Sequence, residues 1–287
     1  MARRFAPHAA FGPQPVPTGV ETCVVQAPAG ELTALWSQAR QARGTVLLIP
    51  GFTGSKEDFL GVLPLLADRG WNTLAYSQRG QGDSAAPAGV EAYGLDEFAQ
   101  DAVTIARSLV ACGGPVHLLG HSFGGIVARE AVLRDSSIFA SLTLFSSGSG
   151  PIVATPEHRA QFAWLEQLAA NPSARRMRPD VPAEPFTDAG EEMLRQRALA
   201  TSLDNLLGTA RILSSVTART AELAATEVPA HVIYGENDDA WPLGSYEAEA
   251  EAIGARRTVI EDAAHSAQNE NPVAFAETVT EFFRSAE

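Results

Sequence analysis

Lysine is almost missing from this chain, cysteine is scarce and positive charge is outnumbered. Among 21 basic residues in 287, Lys56 is the single lysine, an imbalance that fits a GC-rich coding genome better than any chemistry. The 34 acidic residues leave a formal charge of −13, which argues against nucleic acid or an anionic membrane as partner, because both need a basic patch to neutralise phosphates. A small, neutral or cationic substrate is expected instead. Cys23 and Cys112 are too few and too far apart for a disulfide framework, so a reducing cytoplasm is the expected compartment. No window of about eighteen apolar residues exists to span a membrane. Arg3 and Arg4 are followed by no apolar stretch, so no secretion signal is read. Pro13, Pro15 and Pro17 suggest an extended, mobile arm over residues 1–20.

What is present is enough apolar residue, 45%, to bury a large core. Short β-branched or apolar runs alternate with longer amphipathic segments, the pattern of an α/β fold with a mainly parallel central sheet flanked by helices. Strands are expected at Glu31 to Ser37, Thr45 to Pro50, Asn72 to Ser77, Val116 to Gly120, Leu142 to Ser146, His231 to Glu236 and Arg256 to Glu261. Helices are expected at Lys56 to Arg69, Leu95 to Cys112, Ser122 to Arg134, Leu243 to Ile253 and Pro272 to Arg284. The alternation stops after Ser147. Residues 148–228 carry six prolines between helical stretches, Glu157 to Ala169 and Ala189 to Leu207 among them, and read as a helical cap inserted into a core of residues 21–147 and 229–287.

The chemistry concentrates at Gly120-His121-Ser122-Phe123-Gly124, between an apolar run and a helix-like segment. This is the pattern of a nucleophile elbow: a serine on a sharp strand-to-helix turn, with small residues two before and two after so that strand and helix can approach. The turn also sets Ser122 at a helix N-terminus, which favours developing negative charge. A serine hydroxyl needs a base, and the base needs a third group to orient it. Of six histidines, His8 falls in the arm, His117 and His231 in strands, His121 inside the elbow and His158 in the cap. His265 remains, in a loop between the last strand and the last helix. Asp238 is the chosen acid, at the end of Val232 to Gly235, with Asp239 and Glu236 as alternatives in the same acidic turn. For the oxyanion, the backbone N–H of Phe123 and that of Phe52, in the turn Gly51-Phe52-Thr53-Gly54, are the candidates. The same turn also reads as a plain strand-to-helix loop capped by Ser55.

With these residues in place, the chain resembles the α/β-hydrolase superfamily, in its branch of capped esterases and lactonases, over Val46 to Phe283. Gly120 to Gly124, Gly235 to Asp238 followed by Pro242, His265-Ser266 followed by Glu270-Asn271-Pro272, and Arg79-Gly80-Gln81-Gly82-Asp83-Ser84 carry the resemblance. Pro50-Gly51 departs from the His-Gly of many members, which bears on how the oxyanion loop is supported. Ser77 replaces an aspartate that often precedes the Arg-Gly loop, which changes a structural hydrogen bond. Members that open epoxides carry aspartate at the nucleophile position, where this chain has Ser122. The resemblance implies a serine hydrolase of esters, lactones or thioesters that needs neither metal nor cofactor. Amide hydrolysis, carbon–carbon bond hydrolysis and perhydrolysis by the same triad are alternatives, and so is a binding protein on the same fold. The cap supplies Phe162, Trp164, Leu165, Leu168, Met177, Phe186 and Met193, more of them cap core than substrate wall at helical spacing. Trp164 and Trp241 are the pocket candidates, for a substrate with a partly apolar group.

Overall fold

The computed structural model describes residues 5–152, 155–171 and 181–287. Nine strands form one sheet: β1 (Ala6–Pro7), β2 (Val20–Ala27), β3 (Gly30–Ser37), β4 (Gly44–Ile49), β5 (Trp71–Tyr76), β6 (Val116–His121), β7 (Ser141–Phe145), β8 (Ala230–Gly235) and β9 (Arg256–Ile260), in the order β1-β2-β3-β5-β4-β6-β7-β8-β9. β1, β2 and β3 pair antiparallel, as does β3 with β5, and all further pairs are parallel. Central strands β4 and β6 are buried along their whole length, as a parallel strand covered on both faces must be. Alternate side chains of β4 serve opposite layers. Leu47 and Ile49 pack with helices α2 (Leu95–Val110) and α3 (Phe123–Arg134), whereas Val46 and Leu48 face α1 (Leu63–Asp68) and the C-terminal helix Pro272–Ser285.

Seven strands lie within one residue of the expected bounds. β1 and β2 lie outside the expectation, and they draw in the arm: Ala6 pairs with Val24, His8 N–H donates to Thr22 O (3.1 Å), and the Phe5 ring meets Trp36 edge to face at 5.8 Å. The described part of the arm is therefore docked on the sheet edge. The helix expected over Lys56 to Arg69 divides into a 3₁₀ turn, Lys56–Phe59, and α1. Pro64 explains the division, since it lacks an N–H to give the preceding turn and fits only the start of a helix.

Between β7 and β8 lie helices α4 (Pro156–Ala170), α5 (Ala189–Ala200), α6 (Leu203–Ser215) and α7 (Thr220–Ala224). The helix expected over Ala189 to Leu207 breaks at Thr201-Ser202, where extended backbone lets Ser202 N–H bond Gly80 O (2.8 Å) and Thr201 Oγ1 accept from Gly82 N–H (3.2 Å). Leu165, Leu168, Leu203, Leu206 and Ala210 make a small apolar cluster of their own, closed from below by Phe52. Phe162 joins it and Met193 is buried, while Phe186 is exposed and Met177 lies outside the described residues. After β8 come α8 (Leu243–Ala252), α9 (Ala267–Glu270) and α10, the C-terminal helix named above. No described helix is long and apolar enough to cross a membrane.

Candidate active site

β6 runs directly into α3 through Ser122, whose backbone sits at φ 54°, ψ −119°. A non-glycine residue there costs about 1–3 kcal/mol and persists only where its surroundings enforce it. Here Ser122 N–H donates to Phe145 O of β7 (2.8 Å) and Ser122 O accepts from Gly125 N–H (2.9 Å). The flanking glycines are a packing necessity: a Cβ on Gly120 would stand 2.1 Å from Gly124 O, and one on Gly124 would stand 2.3 Å from Ile49 O.

His265 follows β9, and its Nδ1 lies 2.9 Å from Asp238 Oδ1. Asp238 is buried; its Oδ1 also accepts from Ala240 N–H (3.1 Å) and its Oδ2 from the Tyr246 hydroxyl (3.1 Å). Burial alone would raise the Asp238 pKa, but the hydrogen bond and charge of His265 outweigh it and hold the carboxyl below its ordinary range. An ionised Asp238 requires Nδ1–H on His265, which leaves Nε2 as the basic nitrogen. Glu236 and Asp239, the alternative acids, are exposed. His121 ties this loop to the elbow, its Nε2–H donating to His265 O (2.8 Å) while its ring stacks on Phe145 at 4.6 Å. Burial pushes the His121 pKa down to about 3, so the ring is neutral and serves as a donor at Nε2.

Gly51 to Gly54 closes through Gly54 N–H to Gly51 O (3.1 Å), and a Cβ on Gly51 would stand 3.1 Å from the Ser122 Cβ. Phe52 thus stands next to the elbow. Phe123 opens α3, in the first turn whose N–H groups find no intrahelical acceptor. Two buried glutamines that the sequence reading passed over hold the turn where Pro50 replaces histidine. Gln78 Nε2 donates to Pro50 O (3.0 Å), Gln81 Nε2 donates to Gly51 O (2.8 Å), and Gln81 Oε1 accepts from Gln78 N–H (3.0 Å). Both flank Arg79-Gly80, so the motif itself was the available signal. Ser77 takes a different duty, its Oγ accepting from Lys56 N–H (3.1 Å). Lys56, first read as a compositional accident, is fully buried between Asp83 Oδ1 (2.7 Å) and Glu57 Oε1 (2.8 Å), and Asp83 also meets His8 of the arm (3.0 Å).

Among the described residues the two tryptophans line different spaces. Trp164, 39% exposed, lines a space of about 340 Å³ with Phe52, Thr53, Leu165, Leu194 and Arg197. Trp241 is 4% exposed, donates its indole N–H to Gly150 O (3.2 Å), and has its ring centroid 6.5 Å from that of His265. It lines a space of about 290 Å³ with Thr155, His158, Asp238 and Asp239. Among the described residues no group of three or more His, Cys, Asp or Glu side chains is placed to hold a metal ion.

The sequence matches the Alpha/beta hydrolase family over residues 46–278. It is 34% identical over 128 residues to the Mycobacterium tuberculosis protein named Probable oxidoreductase EphD, a match covering 45% of this chain and 21% of that one. The chain thus spans about a fifth of that relative's length. It is 27% identical over 250 residues to the 2-succinyl-6-hydroxy-2,4-cyclohexadiene-1-carboxylate synthase of an Enterobacter species, covering 83% and 91% of the two chains. A thermophilic esterase from Thermogutta terrifontis superposes with a TM-score of 0.72 at 23% identity, covering 93% of this chain and 99% of that one, a likeness that shows the fold.

Proposed function

This chain belongs to the alpha/beta hydrolase family, and from that membership together with the site geometry we propose that it is a serine hydrolase cleaving a carboxylic ester, lactone or thioester through an acyl-Ser122 intermediate. The observation that carries the reading is the strained Ser122 at the end of β6, joined through His121 to the loop in which His265 bonds Asp238 at 2.9 Å. In the proposed cycle His265 Nε2 takes the Ser122 hydroxyl proton as Oγ attacks the substrate carbonyl. The Phe52 and Phe123 N–H groups receive the developing oxyanion, at a position where preorganised donors cost no rearrangement. Collapse expels the alcohol or thiol with the proton from His265, leaving an ester on Ser122. Water then gives its proton to His265 and attacks that ester, and the acid leaves as Ser122 recovers the proton. Asp238 fixes the imidazole tautomer throughout and stabilises the imidazolium.

A fluorophosphonate probe tests the assignment, because it labels only an activated serine. The expected result is one adduct per chain, on Ser122, absent from Ser122→Ala and from His265→Ala. Labelling that persists in Ser122→Ala, or an unlabelled native chain that turns over no ester, lactone or thioester, overturns it.

A further inference from the structure

The cavity above the oxyanion turn contains a group that ester hydrolysis does not require. Its walls are largely apolar, from Phe52, Trp164, Leu165, Leu194 and Leu206, and among the described residues Arg197 of α5 is the one ionised side chain lining it. Arg197 is only 12% exposed. Its Nη1 donates to Asp58 Oδ1 and to Ser55 Oγ (3.2 Å), just past the oxyanion turn, and Asp58 Oδ2 in turn accepts from Ser55 N–H (3.2 Å). Both contacts use Nη1. Among the described residues no acceptor lies within hydrogen-bonding distance of Nε or Nη2, the edge of a guanidinium that grips a carboxylate with two parallel bonds. A clasp between cap and core accounts for half of this side chain and leaves its bidentate edge unexplained, in a cavity whose floor includes the proposed oxyanion residue.

Resting on the serine-hydrolase reading, we propose that the substrate carries a carboxylate apart from the bond to be cleaved, and that Arg197 binds it through Nε–H and Nη2–H while the acyl carbonyl meets the Phe52 amide. The apolar walls take the carbon chain between the two groups. The formal charge of −13 alone favours neutral or cationic substrates, but the ionised group that the described residues present to the cavity is a cation, and a largely buried guanidinium there discriminates more strongly than a diffuse surface field screened within about 10 Å. Cationic esters are then poor substrates, because their charge would be set beside Arg197.

The test compares three p-nitrophenyl esters of equal chain length, the hemiglutarate, the neutral glutaramate and the pentanoate, with 4-acetoxybenzoate against phenyl acetate to place the carboxylate on the alcohol side. One of the two series is expected to show a carboxylate preference in kcat/KM of about tenfold or more. Arg197→Gln should collapse that ratio towards one, mainly through KM, and Asp58→Asn, which removes the clasp but keeps the guanidinium, should retain it. Calorimetric binding of glutarate to the resting enzyme gives a readout independent of turnover, with weak binding expected in the native chain and none in Arg197→Gln. No carboxylate preference in either series, equal preference for the glutaramate, or an unchanged ratio in Arg197→Gln overturns the inference while leaving the serine mechanism intact. Absent turnover with glutarate binding still lost in Arg197→Gln instead overturns the mechanism and keeps the anion site.

Discussion

The elbow and the helical insertion face the same site but are held by different means. Around Ser122 the restraints are backbone to backbone: the β6 and β7 ladder, the Ser122 N–H to Phe145 O bond, and glycines with no room for a side chain. The insertion reaches the core largely through side chains, Arg197 to Asp58, Asn205 Nδ2 to Arg79 O (2.8 Å) and Asp204 Oδ2 to Gly89 N–H (3.1 Å). Backbone restraint sets atoms to the tolerance that bond making demands, whereas side-chain tethers can be exchanged one at a time without unfolding the sheet. On this account the core fixes the reaction and the insertion fixes what is admitted. Substitutions in the two regions should therefore differ in kind, and each prediction below is a way to break that division.

The largest effect belongs to the elbow and its base. Ser122→Ala and His265→Ala are each expected to lower kcat by about 10³–10⁶, with the double variant no worse than the single ones. Steady-state kinetics on purified, refolding-competent variants checks this; multiplicative losses would mean that the two residues do not act as one unit. Asp238→Asn comes next, with a fall of up to about 10⁴ in kcat and a native far-UV spectrum, because an amide stabilises the wrong imidazole tautomer. Asp239→Asn should do far less, and the reverse ranking would move the acid by one residue.

Gln81→Ala should reduce kcat by about tenfold to a hundredfold with little change in KM, since it loosens the turn that presents the Phe52 amide and leaves the amide in place. A KM effect alone would assign Gln81 to substrate binding. Smallest of the series is Trp164→Ala, which should leave acetate esters nearly unaffected and lower kcat/KM on longer chains by about fourfold for each methylene that loses its contact, the equivalent of about 0.8 kcal/mol per buried CH₂. An equal factor on acetate, butyrate and octanoate esters would make Trp164 a packing residue.

The parts of this site that could be read from sequence are those whose constraints are local. Gly120 to Gly124 declares itself because a strand, a strained serine and a helix start occupy five successive positions. His265 and Asp238 were chosen by chain order and by their place after β-strands, and of the three neighbouring acids it is Asp238 that stands 2.9 Å from His265 Nδ1 while Glu236 and Asp239 are exposed. Gln78 and Gln81 were missed because they act on carbonyls 28 and 30 residues away, and a carboxamide in a loop has no periodic signature. Lys56 was dismissed for the same reason, since its meaning lies in Asp83, 27 residues on, and not in its surroundings. The docking of the arm depends on β2, whose alternation of buried and exposed residues is blurred by Thr22 and by adjacent Val24 and Val25. Trp164 and Trp241 could be named as pocket candidates from their place in the insertion and the acid loop, but aromatic content says nothing of which cavity a ring enters.

The central claim, that the core carries out acyl transfer to Ser122 whatever the cap admits, is tested most directly by acid-quenching the protein during turnover of a p-nitrophenyl ester and mapping the adduct by peptide mass spectrometry. The account predicts an acyl group on Ser122 of the native chain, stoichiometric within the first turnover, on the same residue in Trp164→Ala and Arg197→Gln, and absent in Ser122→Ala. Ester cleavage with no acyl-Ser122 at any quench time, or an adduct that persists in Ser122→Ala, would contradict it.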